Sequence, residues 1–170
     1  LSVSTLAADD PVVAVIKKTE ARLNARIGVH IIDHESGTRW QHRADERFPM
    51  NSTFKTLACA ALLARVDSGG ESLDRRVSFE ASALVTYSPV TKDRVGGGGM
   101  SLRALCDAAM TMSDNTAANL IIKTLGGPDQ VTAFMRGLGD TVTRLDRIET
   151  ELNEAKPGDE RDTTTPRAIT

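Results

Sequence analysis

An apolar helical segment in the middle of the chain constrains the fold more than any other feature. Residues 52–68, STFKTLACAALLARVDS, precede Gly69-Gly70, and a glycine just past the last helical residue commonly ends a helix. Apolar side chains dominate the segment, which predicts a helix buried in a core. One residue does not suit a core. Lys55 lies three positions after Ser52 and therefore on the same face of the helix.

The elements on either side of this helix follow different patterns. Asp10-Pro11 predicts the start of an amphipathic helix, and residues 26–44 then predict two strands joined by the turn ESGT. The later part of the chain predicts further helices over 102–112, 115–125 and 128–138, with another helix starting at Thr165-Pro166. A single hairpin is marginal without more sheet or a covering helix, so we expect this chain to be one piece of a larger fold.

Composition excludes several classes of protein. A length of 170 residues with 40% hydrophobic residues suits one domain or two small lobes. A net charge of −2 without a basic run argues against a nucleic-acid partner, and no apolar stretch reaches the length of a membrane span. The opening residues, LSVSTLAADD, are consistent with the remnant of an export signal over 1–8 or with a ragged terminus.

The cysteines and histidines carry weak signals by themselves. Cys59 and Cys106 are either two buried thiols or, in an exported protein, a disulfide that contributes about 3–4 kcal/mol in the chain-entropy model. His30, His34 and His42 cluster around the hairpin without the spacing of a metal motif. We therefore expect surface histidines, no metal site and no cofactor.

Ser52 and Lys55 form the first candidate catalytic pair. A serine in the first turn of a helix lies near unpaired backbone N–H groups and the positive end of the helix dipole. A lysine among apolar neighbours has its charged form disfavoured and can accept a proton from that serine. The alternative is a helix cap followed by a surface lysine, and the spacing alone does not decide between them.

Two more clusters add polar chemistry. Ser113-Asp114-Asn115 is either a helix cap or a proton relay next to an amide that binds substrate. Glu149 and Asn153 lie four apart in a charged loop, where a carboxylate and a carboxamide can hold a water that the carboxylate deprotonates. Arg147 and Asp162 flank that loop and can pair its ends, although solvated charges remain the alternative for each loop residue.

Together these motifs resemble the class A serine β-lactamases. Ser52-Thr-Phe-Lys55, Ser113-Asp-Asn115 and Glu149-x-x-x-Asn153 occur in the order and spacing of that family, whose S-x-x-K and S-D-N motifs are well known. The resemblance extends over nearly the whole chain from about residue 14 and is greatest to the carbenicillin-hydrolysing branch. It implies an α/β two-lobed fold of the β-lactamase and penicillin-binding-protein type, with residues 1–44 in the α/β lobe and 45–170 in an all-α lobe.

The resemblance also implies a role for each candidate residue. Ser52 would attack the β-lactam carbonyl with help from Lys55, and Ser113 would protonate the departing nitrogen. The remaining assignments are Glu149 with Asn153 for the hydrolytic water, Asn115 and Tyr87 for substrate binding, Arg147 and Asp162 for the ends of an omega loop over 147–162, and a disulfide between Cys59 and Cys106. A cis peptide bond is expected between Glu149 and Thr150.

One family motif is absent from the 170 residues. The family's Lys/Arg-Thr/Ser-Gly strand and one of its two oxyanion-hole N–H groups would lie in a C-terminal segment after Thr170, and losing one such donor costs about 100- to 1000-fold in rate. We therefore expect the chain alone to be inactive and its partner to be that segment, either as a separate chain or as a continuation. With that segment, the resemblance implies a monomeric periplasmic or secreted bacterial penicillinase that confers antibiotic resistance.

Two other functions fit part of the pattern. A penicillin-binding D,D-peptidase or a β-lactam sensor would use the same serine but stop at a stable acyl-enzyme. A non-catalytic fragment that acts as a complementation module would account for the missing motif. Glu149 with Asn153 favours complete hydrolysis, because release of the acyl group needs a base that activates water.

Overall fold

The computed structural model describes residues 10–170, so the predicted export remnant at 1–8 lies outside the described residues. In this part of the chain, helices alternate with short strands, several of which form small antiparallel sheets. The elements are α1 (Pro11–Leu23), β1 (Val29–Ile32), β2 (Arg39–His42), β3 (Phe48–Pro49), α2 (Phe54–Asp67), β4 (Arg76–Val77), β5 (Met100–Ser101), α3 (Leu102–Thr111), α4 (Asn115–Leu125), α5 (Pro128–Gly137), β6 (Thr163–Thr164) and α6 (Pro166–Ile169).

The described residues divide into two compact units. One contains residues 10–48 and 164–170, and the other contains residues 49–163. The chain passes between them within the two-residue strands β3 and β6. None of the described helices is long and apolar enough to cross a membrane.

The first unit contains the helix and hairpin expected from the sequence. The Asp10 side chain accepts a hydrogen bond of 2.8 Å from the backbone N–H of Val12 and so caps α1. The helix ends at Asn24, whose φ of 47° places it in the left-handed region. Strands β1 and β2 pair in antiparallel register, and the hairpin prediction is therefore confirmed.

Two histidines in this unit depart from the expected surface position: His30, whose Nδ1 is buried, and His42. The His42 side chain is only 14% exposed, and its Nε2 lies 3.0 Å from Glu20 Oε2. The same carboxylate accepts a hydrogen bond of 2.7 Å from Arg43 Nε and one of 2.9 Å from the backbone N–H of Ile27. The hydrogen bond from Arg43 is the main reason that the pKa of Glu20 falls to about 2. The expectation of surface histidines is wrong for His42 because Glu20 supplies a partner from α1.

The second unit is built around α2, as its apolar sequence predicts. Phe54, Ala58 and Leu62 are fully buried along this helix. Helices α3, α4 and α5 contribute many of the other buried apolar side chains of one continuous core, and the segments between the helices contribute the rest. A turn of 3₁₀ helix over Asn51–Thr53 leads into α2. Gly69, with a φ of 76°, follows its end.

The small β4–β5 sheet is not predicted by the sequence pattern. Each strand has two residues, and Arg76 pairs with Ser101 while Val77 pairs with Met100. Gly99 makes this pairing possible, because it has a φ of 67° and a Cβ there would collide with the backbone of Val77. The glycine run before Met100 therefore allows two backbones to approach closely.

Candidate active site

Ser52 lies in the 3₁₀ turn that precedes α2, and it is exposed. Asn51, before it, has a φ of 45°, in the left-handed region that few non-glycine residues adopt. Thr53 fixes the turn from the other side, since its hydroxyl donates a hydrogen bond of 2.7 Å to the carbonyl oxygen of Met50. The candidate nucleophile is thus an accessible hydroxyl at the start of a buried helix.

Lys55 is the centre of the site. Its side chain is 2% exposed, and its Nζ reaches the hydroxyl and carbonyl oxygens of Ser113 at 2.9 Å each and Asn115 Oδ1 at 2.6 Å. Ser52 Oγ at 3.2 Å and Glu149 Oε1 at 3.3 Å complete the set. An ammonium group has three protons, so these five oxygens are more acceptors than it can serve at once. A proton can therefore be exchanged among several groups around Nζ.

Burial also changes the acidity of Lys55. Desolvation is the largest effect and lowers the pKa of the ammonium group, against the opposing attraction of Glu149 and of Asp114. The neutral amine is consequently more accessible than it is for a lysine in water. This is the property that a base acting on Ser52 needs.

Ser113 reaches the same point from a different part of the chain. It lies between α3 and α4 with a φ of 54°, and its hydroxyl donates a hydrogen bond of 3.0 Å to Ser52 Oγ. The two hydroxyl groups and Lys55 Nζ form a triangle of mutual hydrogen-bond contacts. A proton can pass from one serine to the other through the lysine or directly.

Asn115 is the first residue of α4, and its amide bridges two segments. Its Oδ1 accepts from Lys55, and its Nδ2 donates a hydrogen bond of 2.9 Å to the carbonyl oxygen of Thr86. A carboxamide nitrogen carries two protons, so one donor remains for a ligand carbonyl. Asn115 can thus orient Lys55 and bind a substrate amide at the same time.

Glu149 faces Lys55 from the loop over 147–162. The carboxylate is 2% exposed, and its Oε2 accepts a hydrogen bond of 2.7 Å from Asn153 Nδ2. The expected partners are therefore adjacent and in direct contact. The Glu149–Thr150 peptide bond is cis, which confirms the expectation drawn from the resemblance.

Arg147 and Asp162 join the two ends of this loop. Arg147 Nε donates a hydrogen bond of 2.6 Å to Asp162 Oδ2, and Asp162 is fully buried. Asp162 Oδ1 also accepts from the backbone N–H groups of Asp146 at 2.8 Å and of Arg147 at 2.9 Å. The hydrogen bond to Asp162 raises the pKa of Arg147. Because one partner is buried, this pair differs from a solvated surface pair.

Asn119 and Asp114 also stabilise the site, through hydrogen bonds that the sequence motifs did not predict. Asn119 donates a hydrogen bond of 2.8 Å to the carbonyl oxygen of Glu149 and accepts one of 2.9 Å from its N–H. Asp114 is fully buried and accepts a hydrogen bond of 2.9 Å from each of the backbone N–H groups of Val90 and Thr91. The i, i+4 spacing of Asn115 and Asn119 on one helical face was the available signal for Asn119.

Tyr87 lies near this cluster on an irregular segment. Its side chain is 60% exposed, its φ is 64°, and its carbonyl oxygen accepts a hydrogen bond of 3.0 Å from the N–H of Asn115. An aromatic ring held open to solvent beside Asn115 can contact a ligand that enters the site.

Cys59 and Cys106 are brought together as thiols. Both are free cysteines. The neighbouring Cys106 thiol, together with burial, raises the pKa of Cys59. Among residues 10–170, no three His, Cys, Asp or Glu side chains converge in a way that could hold a metal ion.

Comparisons with known proteins agree with the motifs. Residues 11–170 match the sequence profile of the beta-lactamase enzyme family. The chain is 57% identical to an ancestral class A beta-lactamase reconstructed for Gram-negative bacteria, with a TM-score of 0.89 over 92% of this chain and 60% of that one. It is 56% identical to PenP, a class A beta-lactamase candidate from Rhodopseudomonas palustris, with a TM-score of 0.91 over 94% of this chain and 61% of that one. The structures that it matches have the two-lobed class A fold, and the chain spans about 60% of their length.

Proposed function

The chain belongs to the beta-lactamase enzyme family, and from this membership and the site geometry we propose that the protein hydrolyses β-lactams through a serine acyl-enzyme. The observation that carries the proposal is the position of Lys55. Its buried Nζ is within 3.3 Å of Ser52 Oγ, of Ser113 Oγ and of Glu149 Oε1. One amine therefore connects a nucleophile, a second hydroxyl and a carboxylate, which are the groups that acyl transfer followed by hydrolysis requires.

Acylation begins at Ser52. Its Oγ attacks the lactam carbonyl carbon while its proton passes to Lys55, whose pKa is lowered by burial, or to Glu149. The C–N bond of the ring then breaks, and the nitrogen takes a proton from Ser113, which is replenished from Lys55 at 2.9 Å. Asn115, with its remaining N–H, and Tyr87 bind the substrate side chain.

Deacylation depends on Glu149. The carboxylate removes a proton from a water molecule, and the resulting hydroxide attacks the ester carbonyl carbon. The C–O bond to Ser52 then breaks, and Ser52 Oγ takes up the proton from Glu149 by way of Lys55. Asn153 orients the carboxylate through its hydrogen bond of 2.7 Å, and Asn119 fixes the backbone on both sides of Glu149. In this proposal the water binds to the Glu149 carboxylate beside Asn153, because the direct hydrogen bond between the two side chains leaves no room for water between them.

Several finer assignments belong to the proposal as well. Sequence motifs support the carbenicillin-hydrolysing branch, a penicillinase role in antibiotic resistance and an omega loop over 147–162. The adjacency of Cys59 and Cys106 supports a disulfide under oxidising conditions, as in the periplasm or outside the cell. The whole enzyme is proposed to be monomeric and to use no cofactor, with lobes divided at residue 44. A C-terminal segment that carries the Lys/Arg-Thr/Ser-Gly strand, as a continuation or a second chain, completes the site.

Replacing the proposed hydrolytic base is the sharpest test. In the protein that includes the C-terminal segment, Glu149→Ala should slow turnover of a chromogenic cephalosporin by about 1000-fold or more while a penicillin adduct accumulates on Ser52. The adduct is measured by intact mass spectrometry, and turnover by absorbance. Glu151→Ala, which removes an exposed carboxylate two residues away, should change neither.

The outcomes separate the alternatives. Undiminished turnover by Glu149→Ala would show that Glu149 is not the base that activates the hydrolytic water. A stable adduct on the unaltered protein would indicate a penicillin-binding D,D-peptidase or a sensor. An absence of both adduct and hydrolysis with the C-terminal segment present would favour the complementation module.

A further inference from the structure

The segment over 85–91 has no regular structure before residue 91, yet the start of α4 holds it at several points. Besides the carbonyl oxygen of Tyr87, the carbonyl oxygen of Thr86 accepts a hydrogen bond from Asn115. Farther along, Asp114 accepts from the backbone N–H groups of residues 90 and 91. These contacts fix the segment on both sides of Tyr87.

Two hydroxyl groups close a ring of hydrogen bonds within this segment. The N–H of Val85 donates to Thr116 Oγ1 at 2.9 Å, and Ser88 Oγ donates to the carbonyl oxygen of Val85 at 2.8 Å. Thr116 Oγ1 and Ser88 Oγ are 2.7 Å apart. A serine hydroxyl has one proton, and Ser88 gives it to Val85. Thr116 is then the donor to Ser88 at 2.7 Å, a shorter contact than its 3.5 Å approach to the carbonyl oxygen of Ala83.

The ring therefore begins and ends on one residue. It runs from the Val85 N–H through the Thr116 and Ser88 hydroxyl groups to the Val85 carbonyl oxygen. Thr116 is fully buried and Ser88 is 9% exposed, so water does not easily replace either hydroxyl, and each bond polarises the next. The ring holds the chain on the N-terminal side of Tyr87 in place.

The ring stabilises the backbone next to Tyr87, which has an unfavourable conformation. Tyr87 has a φ of 64°, a conformation that costs free energy for a bulky residue and persists only when the surroundings enforce it. Ser88 is its direct neighbour, and Thr116 is the direct neighbour of Asn115, which bonds the Tyr87 carbonyl oxygen. The Thr116–Ser88 contact thus lies one residue from both ends of that bond.

We propose that Thr116 and Ser88 are positioning residues that hold Tyr87 in its left-handed, exposed conformation at the entrance of the site. Only the expected effect on substrate binding rests on the proposed function; the positioning of Tyr87 does not. A free Tyr87 would lose contact with the substrate side chain, weakening binding in the ground state and the transition state alike. The effect should therefore appear in KM and not in kcat.

The test removes one hydroxyl without changing the shape of the side chain. Protein that includes the C-terminal segment is labelled with 3-fluorotyrosine, and the fluorine resonance of Tyr87 is identified by its loss in Tyr87→Phe. In Thr116→Val we expect that resonance to shift or broaden, KM for a penicillin to rise about fivefold, and kcat to stay within about twofold. Thr116→Ser keeps the hydroxyl and should restore both signals.

Thr132→Val is the matched control. The Thr132 hydroxyl also accepts from a backbone N–H, at 2.9 Å, and donates to a carbonyl oxygen, at 3.0 Å, but both belong to Leu145. It should lower stability without moving the Tyr87 resonance. A Tyr87 resonance that is unchanged in folded Thr116→Val would overturn the proposal. If that variant does not fold, Ser88→Ala breaks the same ring and decides by the same readout.

The two proposals fail in distinguishable ways. If the unaltered protein hydrolyses no β-lactam, the proposed function is wrong, while the fluorine spectrum still decides whether Thr116 and Ser88 position Tyr87. If the resonance moves but KM does not, the link from Tyr87 to substrate binding is overturned.

Discussion

The two halves of the candidate site are supported by different forces. Lys55 belongs to α2, and its neighbours Phe54, Ala58 and Leu62 are fully buried in an apolar core. Glu149 belongs to a loop whose ends are joined by ion pairs. Hydrogen bonds with Asn119 and Asn153 hold its backbone and its carboxylate, and the carboxylate also pairs with Lys55. Close packing dominates in the helix half. The loop half places Leu152 in the same core, but hydrogen bonds and charge supply the other contacts that hold it.

This difference predicts different weaknesses. Apolar packing does not titrate, so α2 should respond mainly to changes of volume. The loop over 147–162 carries two carboxylates, Glu154 and Asp159, whose pKa values lie below their ordinary range because arginine or lysine partners hold them ionised. The loop should therefore respond to loss of charge and to acid. Three measurements test the comparison, in order of expected effect.

The largest loss of stability should come from removing a buried side chain of α2. Phe54→Ala should lower the free energy of unfolding by about 3–5 kcal/mol, because Phe54 is fully buried and the site around it cannot collapse completely. Denaturant unfolding measures the loss. Leu63→Ala, on the same helix but 44% exposed, is the control and should cost less than about 1 kcal/mol. Equal losses for the two variants would contradict the view that α2 is held by its packing.

An intermediate loss of stability should come from neutralising Asp162, the buried carboxylate at the end of the loop. Asp162→Asn leaves Arg147 without its main partner, and we expect unfolding to become easier by about 2–4 kcal/mol, since the aspartate is fully buried. Hydrogen exchange should show the amides over 147–162 losing protection before those of α2. Glu154→Gln, which removes the more exposed partner of Arg147, should have a clearly smaller effect. Uniform loss of protection across the unit would mean that the loop is not a separate element.

The smallest effect should be the response of the loop to pH. Hydrogen bonds from Arg144 to Asp146, from Lys156 and Arg147 to Glu154, and from Arg161 to Asp159 lower the pKa values of these carboxyl groups in the folded state. The unfolded chain then binds protons at a higher pH than the folded chain does. The stability that these groups contribute is present above their ordinary values of 3.8 and 4.5 and is lost as the pH falls through the folded values.

Lys55 gives the helix half a dependence of the same sign, but in a pH window that extends up to 10.5. Its lowered pKa means that the unfolded chain holds the proton more tightly, so stability should rise between the folded pKa and the ordinary value of 10.5. Hydrogen exchange followed from neutral pH into acid should therefore show the loop opening first. Earlier opening of α2 in acid would contradict the comparison.

Local signals account for the parts of the fold that were predicted correctly. Ser101 caps α3, Asp114 caps α4 and Gly126 ends it with a φ of 102°, and each signal acts within a few residues of the chain. The spacing of Ser52 and Lys55 needed only the helical period. The short β4–β5 sheet and the partly buried position of His42 were not predictable in this way, because each depends on a partner more than 20 residues away.

The sequence by itself determined to within two residues where α2, α3, α4 and α5 begin and end. It also determined which helix is buried and which residue types supply a nucleophile, a base and an amide, because these follow from short-range periodicity and chemistry. Only the tertiary structure decided that Lys55 Nζ meets Ser113 Oγ at 2.9 Å across 58 positions, and that Asn119 bonds Glu149 across 30. It also decided that the two hydroxyl groups beside Tyr87 share one ring of hydrogen bonds. Such contacts depend on how helices and loops pack in three dimensions, and no spacing along the chain specifies that packing.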